Sequence, residues 1–231
     1  MRRRCLLGLA ALRVGAQQVA DTGFDPPIGK PAFAFGRGPI VGVDAGHHNF
    51  HTADGRYQTF ARLLRKNGFV VEAAGGKCDV FVVANALHAS NADSWALPNL
   101  PAFSDREVGA VAEWVRGGGA LLLIADHQPF PGAASTLAAA FGVTFHNGYA
   151  GNGVLRFDKA SGSLREHSIT RDVDFVMTFQ GSAFRAPGAE PLLVFGPETV
   201  STVRPAGEKS AAGGWLQGAV LTHSVKCRLD S

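Results

Sequence analysis

A chain of 231 residues with 46% apolar and 18% charged residues can bury a substantial core, which excludes a disordered or fibrous protein. The formal net charge of +3 comes from the N-terminus, where Arg2, Arg3, Arg4 and Arg13 occur with no acid among them; the body is near neutral and gives no electrostatic basis for nucleic-acid binding. No apolar run reaches the roughly 18 residues of a membrane span.

The first segment, residues 1–19, begins with arginines and continues into a short apolar run, Cys5 to Leu12, interrupted by Arg13. It reads as a secretory signal or a basic N-terminal tail, and the small residues of VGAQQVA suit cleavage. A periplasmic or secreted protein follows from the first reading, a cytoplasmic one from the second. Cys5, Cys78 and Cys227 lack metal-ligand spacing. A Cys78–Cys227 disulfide suits an exported protein, while isolated buried thiols are the simpler expectation.

Residues 20–39 are rich in Pro and Gly and predict an extended lead-in over the surface of the domain. IVGVD then reads as a buried strand ending at Asp44. DGRYQTFARLLRKNGF predicts a helix, with Tyr57, Phe60, Ala61 and Leu64 on one face, Asp54 as N-cap and Gly68 as its stop. FVVEA and DVFVVANAL are the next strands. A second helix opens with Ser104 and Glu107 in capping-box spacing, carries Val108, Val111, Ala112 and Val115 as its apolar stripe, and stops at Gly117–Gly119. ALLLIA is a wholly apolar strand, expected at the centre of a parallel sheet. GAASTLAAAFG predicts a short helix, and VTFHNG another strand. From Tyr149 onward VLRFD, DVDFVMTF, PLLVFG and GWLQGAVL read as strands separated by turns. The expected architecture is α/β. Residues 40–231 form a single domain with a doubly wound, mostly parallel, flavodoxin-like sheet, helices on both faces, and a β-rich part over residues 149–231.

Ligands of such sheets bind beyond the carboxyl ends of the strands. Six of the eight histidines fall there. Asp44, His47, His48, Asn49 and His51 follow the first strand, His88 the third, and Asp126, His127 and Gln128 the apolar fourth; His146 lies in the strand after that. Histidine and aspartate together are ligands for a first-row divalent ion, or form a general base and its orienting group. The expected metal ligands are Asp44, His47, His48, His51, Asp126 and His127. Asp126, His127 and His48 are the expected catalytic residues, and Asn49, His88, Gln128 and His146 are expected to line the substrate pocket. Each has a plainer reading: Asp44 as a turn cap, His48 and Asn49 as loop hydrogen bonders, His88 and His146 as structural residues. His51, nearest the helix, is the weakest of its three. HHNFH is not an HExxH helix, and no GxSxG elbow is present; Ser135 falls inside the short helix.

Two stretches, IVGVDAGHHNFHTADGRYQTFARLLRKNGFVVE and SDREVGAVAEWVRGGGALLLIADHQPF, resemble the glutamine-amidotransferase-like superfamily, in a bacterial branch related to trehalose-utilisation-type domains. EHSIT is similar to an HPIT element of that branch, with Ser168 in place of the proline. The resemblance covers roughly residues 38–180 and implies the class I amidotransferase fold with its site at the turn after the apolar strand. That turn carries a GxCxG nucleophile in true amidotransferases and reads ADHQPF here, so cysteine glutaminase chemistry is not expected. The resemblance also implies a further strand and closing helix after GGWLQGAVL, where this sequence has THSVKCRLDS.

The expected function is a hydrolase of a small carbonyl compound, an ester, lactone or amide, assisted by a divalent metal. Zinc is the expected ion and calcium the alternative; calcium would want more oxygen ligands than the histidines supply, with Asp44, Asn49, Asp54 and backbone carbonyls as the donors at hand. The alternative is a non-catalytic amidotransferase-like domain that binds or senses a sugar or metabolite. Either way the partner is a small molecule, and oligomeric state is not legible.

Overall fold

A computed structural model describes residues 19–222. The N-terminal basic segment with Cys5, and the end with His223 and Cys227, lie outside the described residues, and with them the expected signal and the Cys78–Cys227 pairing.

The chain is a mixed α/β protein: a four-stranded parallel sheet followed by antiparallel sheets. In chain order the first part is β1 (Ile40–Val43), α1 (Gln58–Lys66), β2 (Val70–Ala73), β3 (Val80–Ala84), α2 (Asp105–Arg116), β4 (Ala120–Ile124), α3 (Phe130–Ala133) and α4 (Ser135–Ala139). The parallel sheet has the order β2-β1-β3-β4. Alternate residues of its strands feed separate cores. Val41, Val43, Val82 and Ala84 pack with Ala61 and Leu64 of α1, whereas Phe81, Val83, Leu121 and Leu123 pack with Val108 and Val111 of α2 and Leu137 of α4.

The helix ends follow local chemistry. Ser104 accepts the Glu107 amide while the Glu107 carboxylate accepts the Ser104 amide, the reciprocal box read from the sequence. Gly68 follows α1 at φ +90°, and a Cβ there would collide with the Phe33 carbonyl of the lead-in. That lead-in runs across α1, where Arg62 donates to the carbonyls of Thr22 and Phe24 and Lys66 pairs with Asp25 at 3.0 Å.

Three expectations are corrected. Asp54 is not the cap of α1: Thr52 to Tyr57 form turns, with the Gly55 and Tyr57 amides both donating to the Thr52 carbonyl, and the helix starts three residues after Gly55. Tyr57, just before the helix, still packs on the core with Ala61 and Leu64 while its ring also stacks on His51. The apolar β4 is an edge of the parallel sheet, not its centre, with Leu122 41% exposed. Its apolar character comes from a groove beside that edge, shared with Phe145, Phe184 and Val220. The strand after the short helices does not extend the parallel sheet. β5 (Thr144–Phe145) pairs antiparallel with a later strand, because Phe145 seats its ring against Phe184 at 5.4 Å.

The remainder is β6 (Tyr149–Ala150), β7 (Val154–Asp158), β8 (Phe175–Phe179), β9 (Phe184–Arg185), β10 (Glu190–Val194), β11 (Val200–Thr202), β12 (Lys209–Ala211) and β13 (Leu216–Val220). These strands form antiparallel arrays β10-β13-β9-β5, β12-β11-β6 and β7-β8 around Phe157, Leu164, Ala183 and Phe195. No helix among the described residues is long and apolar enough to cross a membrane. EHSIT forms a short capped turn in which His167 accepts the Ile169 amide and faces Glu190, away from the β4 turn.

Candidate active site

The carboxyl ends of β1, β3 and β4 are joined by one residue, Asn85. It is 1% exposed and takes φ +56°, a conformation that asparagine tolerates better than most residues. Its amide donates to the Ile124 carbonyl at 2.9 Å, its carbonyl accepts the Phe50 amide at 2.9 Å, and its Oδ1 accepts the Asp126 amide at 2.9 Å. Asn85 therefore fixes the start of the ADHQPF turn relative to the histidine-rich loop.

Asp126 sits at the head of that turn. Burial raises its carboxyl above the usual 3.8, and the His127 charge pulls it partly back. His127 Nδ1 lies 2.8 Å from the Gln128 carbonyl, which can only accept, so Nδ1 carries the proton. Nε2 lies 3.8 Å from Asp126 Oδ2, too far for a direct hydrogen bond and suited to a bridging water.

Aromatic rings surround this pair. His127 stacks on Tyr149 at 4.4 Å, with Trp95 at 6.0 Å and Phe130 at 5.9 Å. Phe50 closes the same wall, 5.5 Å from Trp95. Arg204 lies over the other side of Tyr149, 4.1 Å from the ring centre. Tyr57 and Tyr149 both have raised pKa values, chiefly from burial and in part from the Asp126 charge, which places both phenols within reach of that carboxylate's field. Tyr57 in turn stacks on His51 at 4.5 Å. His51 is buried, its Nδ1 has no hydrogen-bond partner, and desolvation with the Arg56 charge lowers its pKa to about 4.

The histidine-rich loop is thus split. His51 stacks on Tyr57, whose phenol feels the Asp126 charge. His47 belongs to the other side: Nδ1 is 2.8 Å from Asp44, Nε2 is 3.4 Å from Glu107 of α2, and its ring lies on Phe103. Asp44, 4% exposed, also accepts the Gly46 amide, the turn-capping role. His48 is exposed at φ +45°, and no contact joins it to Asp126 or His127. Asn49 accepts the His47 amide while its buried Nδ2 has no partner.

The four expected pocket residues also separate. His88 caps the turn after β3 by accepting the Ser90 amide, and His146 bonds Ser201 at 2.7 Å in the antiparallel layer. Gln128 is buried and uses its amide on the backbone of Arg204. Among the described residues, no group of three or more His, Cys, Asp or Glu side chains converges as a metal-ligand set. The six expected ligands divide between the Asp44–His47–Glu107 cluster, the Asp126–His127 pair, and the separate His48 and His51. Sequence reading missed Asn85, Tyr57, Trp95, Tyr149 and Arg204. Only Asn85 carried a local signal, a polar residue ending an apolar strand.

The two shifted histidines give opposite pH limbs. The Asp44 hydrogen bond raises His47 above its usual 6.5, so its stabilisation is complete below 6.5 and fades as pH rises through the folded value. His51, lowered to about 4, is protonated more readily in the unfolded chain, so stability falls as pH drops from 6.5 towards 4, by at most about 3 kcal/mol. Urea unfolding from about pH 4 to pH 8 is expected to show His47→Gln flattening the alkaline limb and His51→Phe the acid limb; two unchanged limbs would refute the assignment.

No protein-family model matches the chain, and no curated protein matches it.

Proposed function

We propose that the chain is a hydrolase of small carbonyl compounds, with Asp126 as the proton-transfer group and His127 as its partner. The observation that carries this reading is the partly buried Asp126 carboxyl, its pKa raised by desolvation, facing His127 Nε2 across 3.8 Å at the end of β4. A water between them loses a proton to Asp126 as its oxygen attacks the carbonyl carbon. The Tyr57 and Tyr149 phenols, protonated at neutral pH, are hydrogen-bond donors for the resulting oxyanion. Asp126 then returns the proton to the departing alkoxide or amine.

A divalent ion, zinc by this nitrogen–oxygen donor chemistry, would be held by Asp126 and His127 and would supply a water of lowered pKa. Two donors fall short of the three protein ligands usual for catalytic zinc, so the proton transfers are assigned to the side chains. The strand order β2-β1-β3-β4, with α1 and α2 on separate cores, supports a doubly wound, amidotransferase-like fold whose nucleophile turn has been replaced by Asp126-His127. A second reading, retention of a sugar without turnover, is favoured by the ring wall of Trp95, Phe50 and Tyr149 beside polar groups.

The test is a panel of chromogenic esters and lactones assayed with and without chelator, alongside metal analysis of the purified protein. Turnover that survives chelation is expected. Absence of turnover on the whole panel, together with saturable binding of a sugar, replaces the first reading with the second.

A further inference from the structure

A cavity of about 590 Å³ opens on the far side of Tyr149 from His127. Its floor is built by strand register. Tyr149 of β6 pairs with Thr202 of β11, and Thr202 pairs with Lys209 of β12, so the three side chains form one cross-strand row on one face. All three line the cavity with Asn152, Glu198 and Arg204. Arg204 and Lys209 make no ion pair among the described residues, so the two cations exceed the single carboxylate of Glu198.

Arg204 is also held from behind. Gln128, 3% exposed, accepts the Arg204 amide on Oε1 at 2.8 Å and donates Nε2 to the Arg204 carbonyl at 2.6 Å. Spending both ends of a buried amide on one residue's backbone, 76 positions away, fixes the origin of the guanidinium relative to the turn that carries Asp126 and His127. The guanidinium carbon itself sits 4.1 Å from the centre of the Tyr149 ring, a cation–π contact that holds the charge at the cavity wall.

We propose that this row is an anion subsite: the substrate carries a carboxylate or phosphate that docks on Arg204 and Lys209, with the Thr202 hydroxyl as a further donor. Tyr149 is the partition between the anion and the reacting carbonyl, and Gln128 is a positioning residue. The proposal rests on the hydrolase reading for the word substrate; the anion site itself does not.

The test has two arms at constant ionic strength. Thermal shift with inorganic phosphate, and separately with malonate, is expected to show saturable stabilisation by at least one, and the better anion identifies the group. Arg204→Gln is expected to weaken that binding about ten- to a hundred-fold, Arg204→Lys less, and Lys209→Gln about ten-fold. Both residues are exposed, so these variants fold. In the second arm, esters with and without a free acyl carboxylate are compared; Arg204→Gln is expected to erase the preference for the charged ester by raising its KM alone. Anion binding that depends on Arg204 without any ester turnover upholds the subsite and removes the hydrolase reading. The proposal is overturned if neither anion binds, or if Arg204→Gln binds as tightly as the parent protein.

Discussion

Asp126→Asn is expected to lower ester or lactone hydrolysis by about a hundred- to ten-thousand-fold while leaving the fold intact. The substitution keeps the shape of the side chain and the backbone bond to Asn85 but removes the basic oxygen. Because it also removes a partly desolvated carboxylate, urea stability is expected to hold or rise slightly. A second readout needs no substrate. The chain has two tyrosines, Tyr57 and Tyr149, and the Asp126 charge contributes to raising both. Alkaline absorbance titration of Asp126→Asn is therefore expected to move the phenol transition to lower pH. Full activity in this variant would remove Asp126 from the chemistry; an unmoved phenol transition would place its carboxyl away from the two rings.

Replacing Asn85 is expected to cost more stability than any other single change at the site. Asn85→Ala puts a Cβ residue without a polar tip at φ +56°, a strain of about 1–2 kcal/mol. It also leaves the Asp126 amide without its acceptor, about 1–3 kcal/mol more. A total near 3 kcal/mol is expected in urea unfolding. Asn85→Gly relieves the backbone and loses only the hydrogen bond, so it should be about 1–2 kcal/mol milder than Asn85→Ala. Equal losses for the two would mean that backbone conformation contributes nothing here.

The parallel half of the fold was legible because its signals are local. Apolar runs mark β1, β3 and β4, and the Ser104–Glu107 box and Gly68 mark helix ends. The antiparallel half was legible as strands but not as sheets. The order β10-β13-β9-β5 is set by which apolar faces meet, as with Phe145 and Phe184, and no short window contains both partners. The same limit applies to the site. Asp126 and His127 stood out because they end an apolar strand. Tyr149 reaches His127 from β6, Arg204 reaches Tyr149 from the turn after β11, and Trp95 reaches His127 from a loop that offers no periodicity. His47 and His51 lie four residues apart in one loop; contacts with Asp44 and Glu107 on one side and the stack on Tyr57 on the other separate them.

The three bonds of Asn85 also decide how the site breathes. The amides of Phe50 and Asp126 are tied to a residue that is itself tied to β4, so this floor can loosen only when the parallel sheet loosens. Trp95, on its loop, and Arg204, held by Gln128 and by its contact with the Tyr149 ring, are not tied to the parallel sheet in this way and form the rim of the site. Amide hydrogen exchange is therefore expected to be slower at Phe50 and Asp126 than at Trp95.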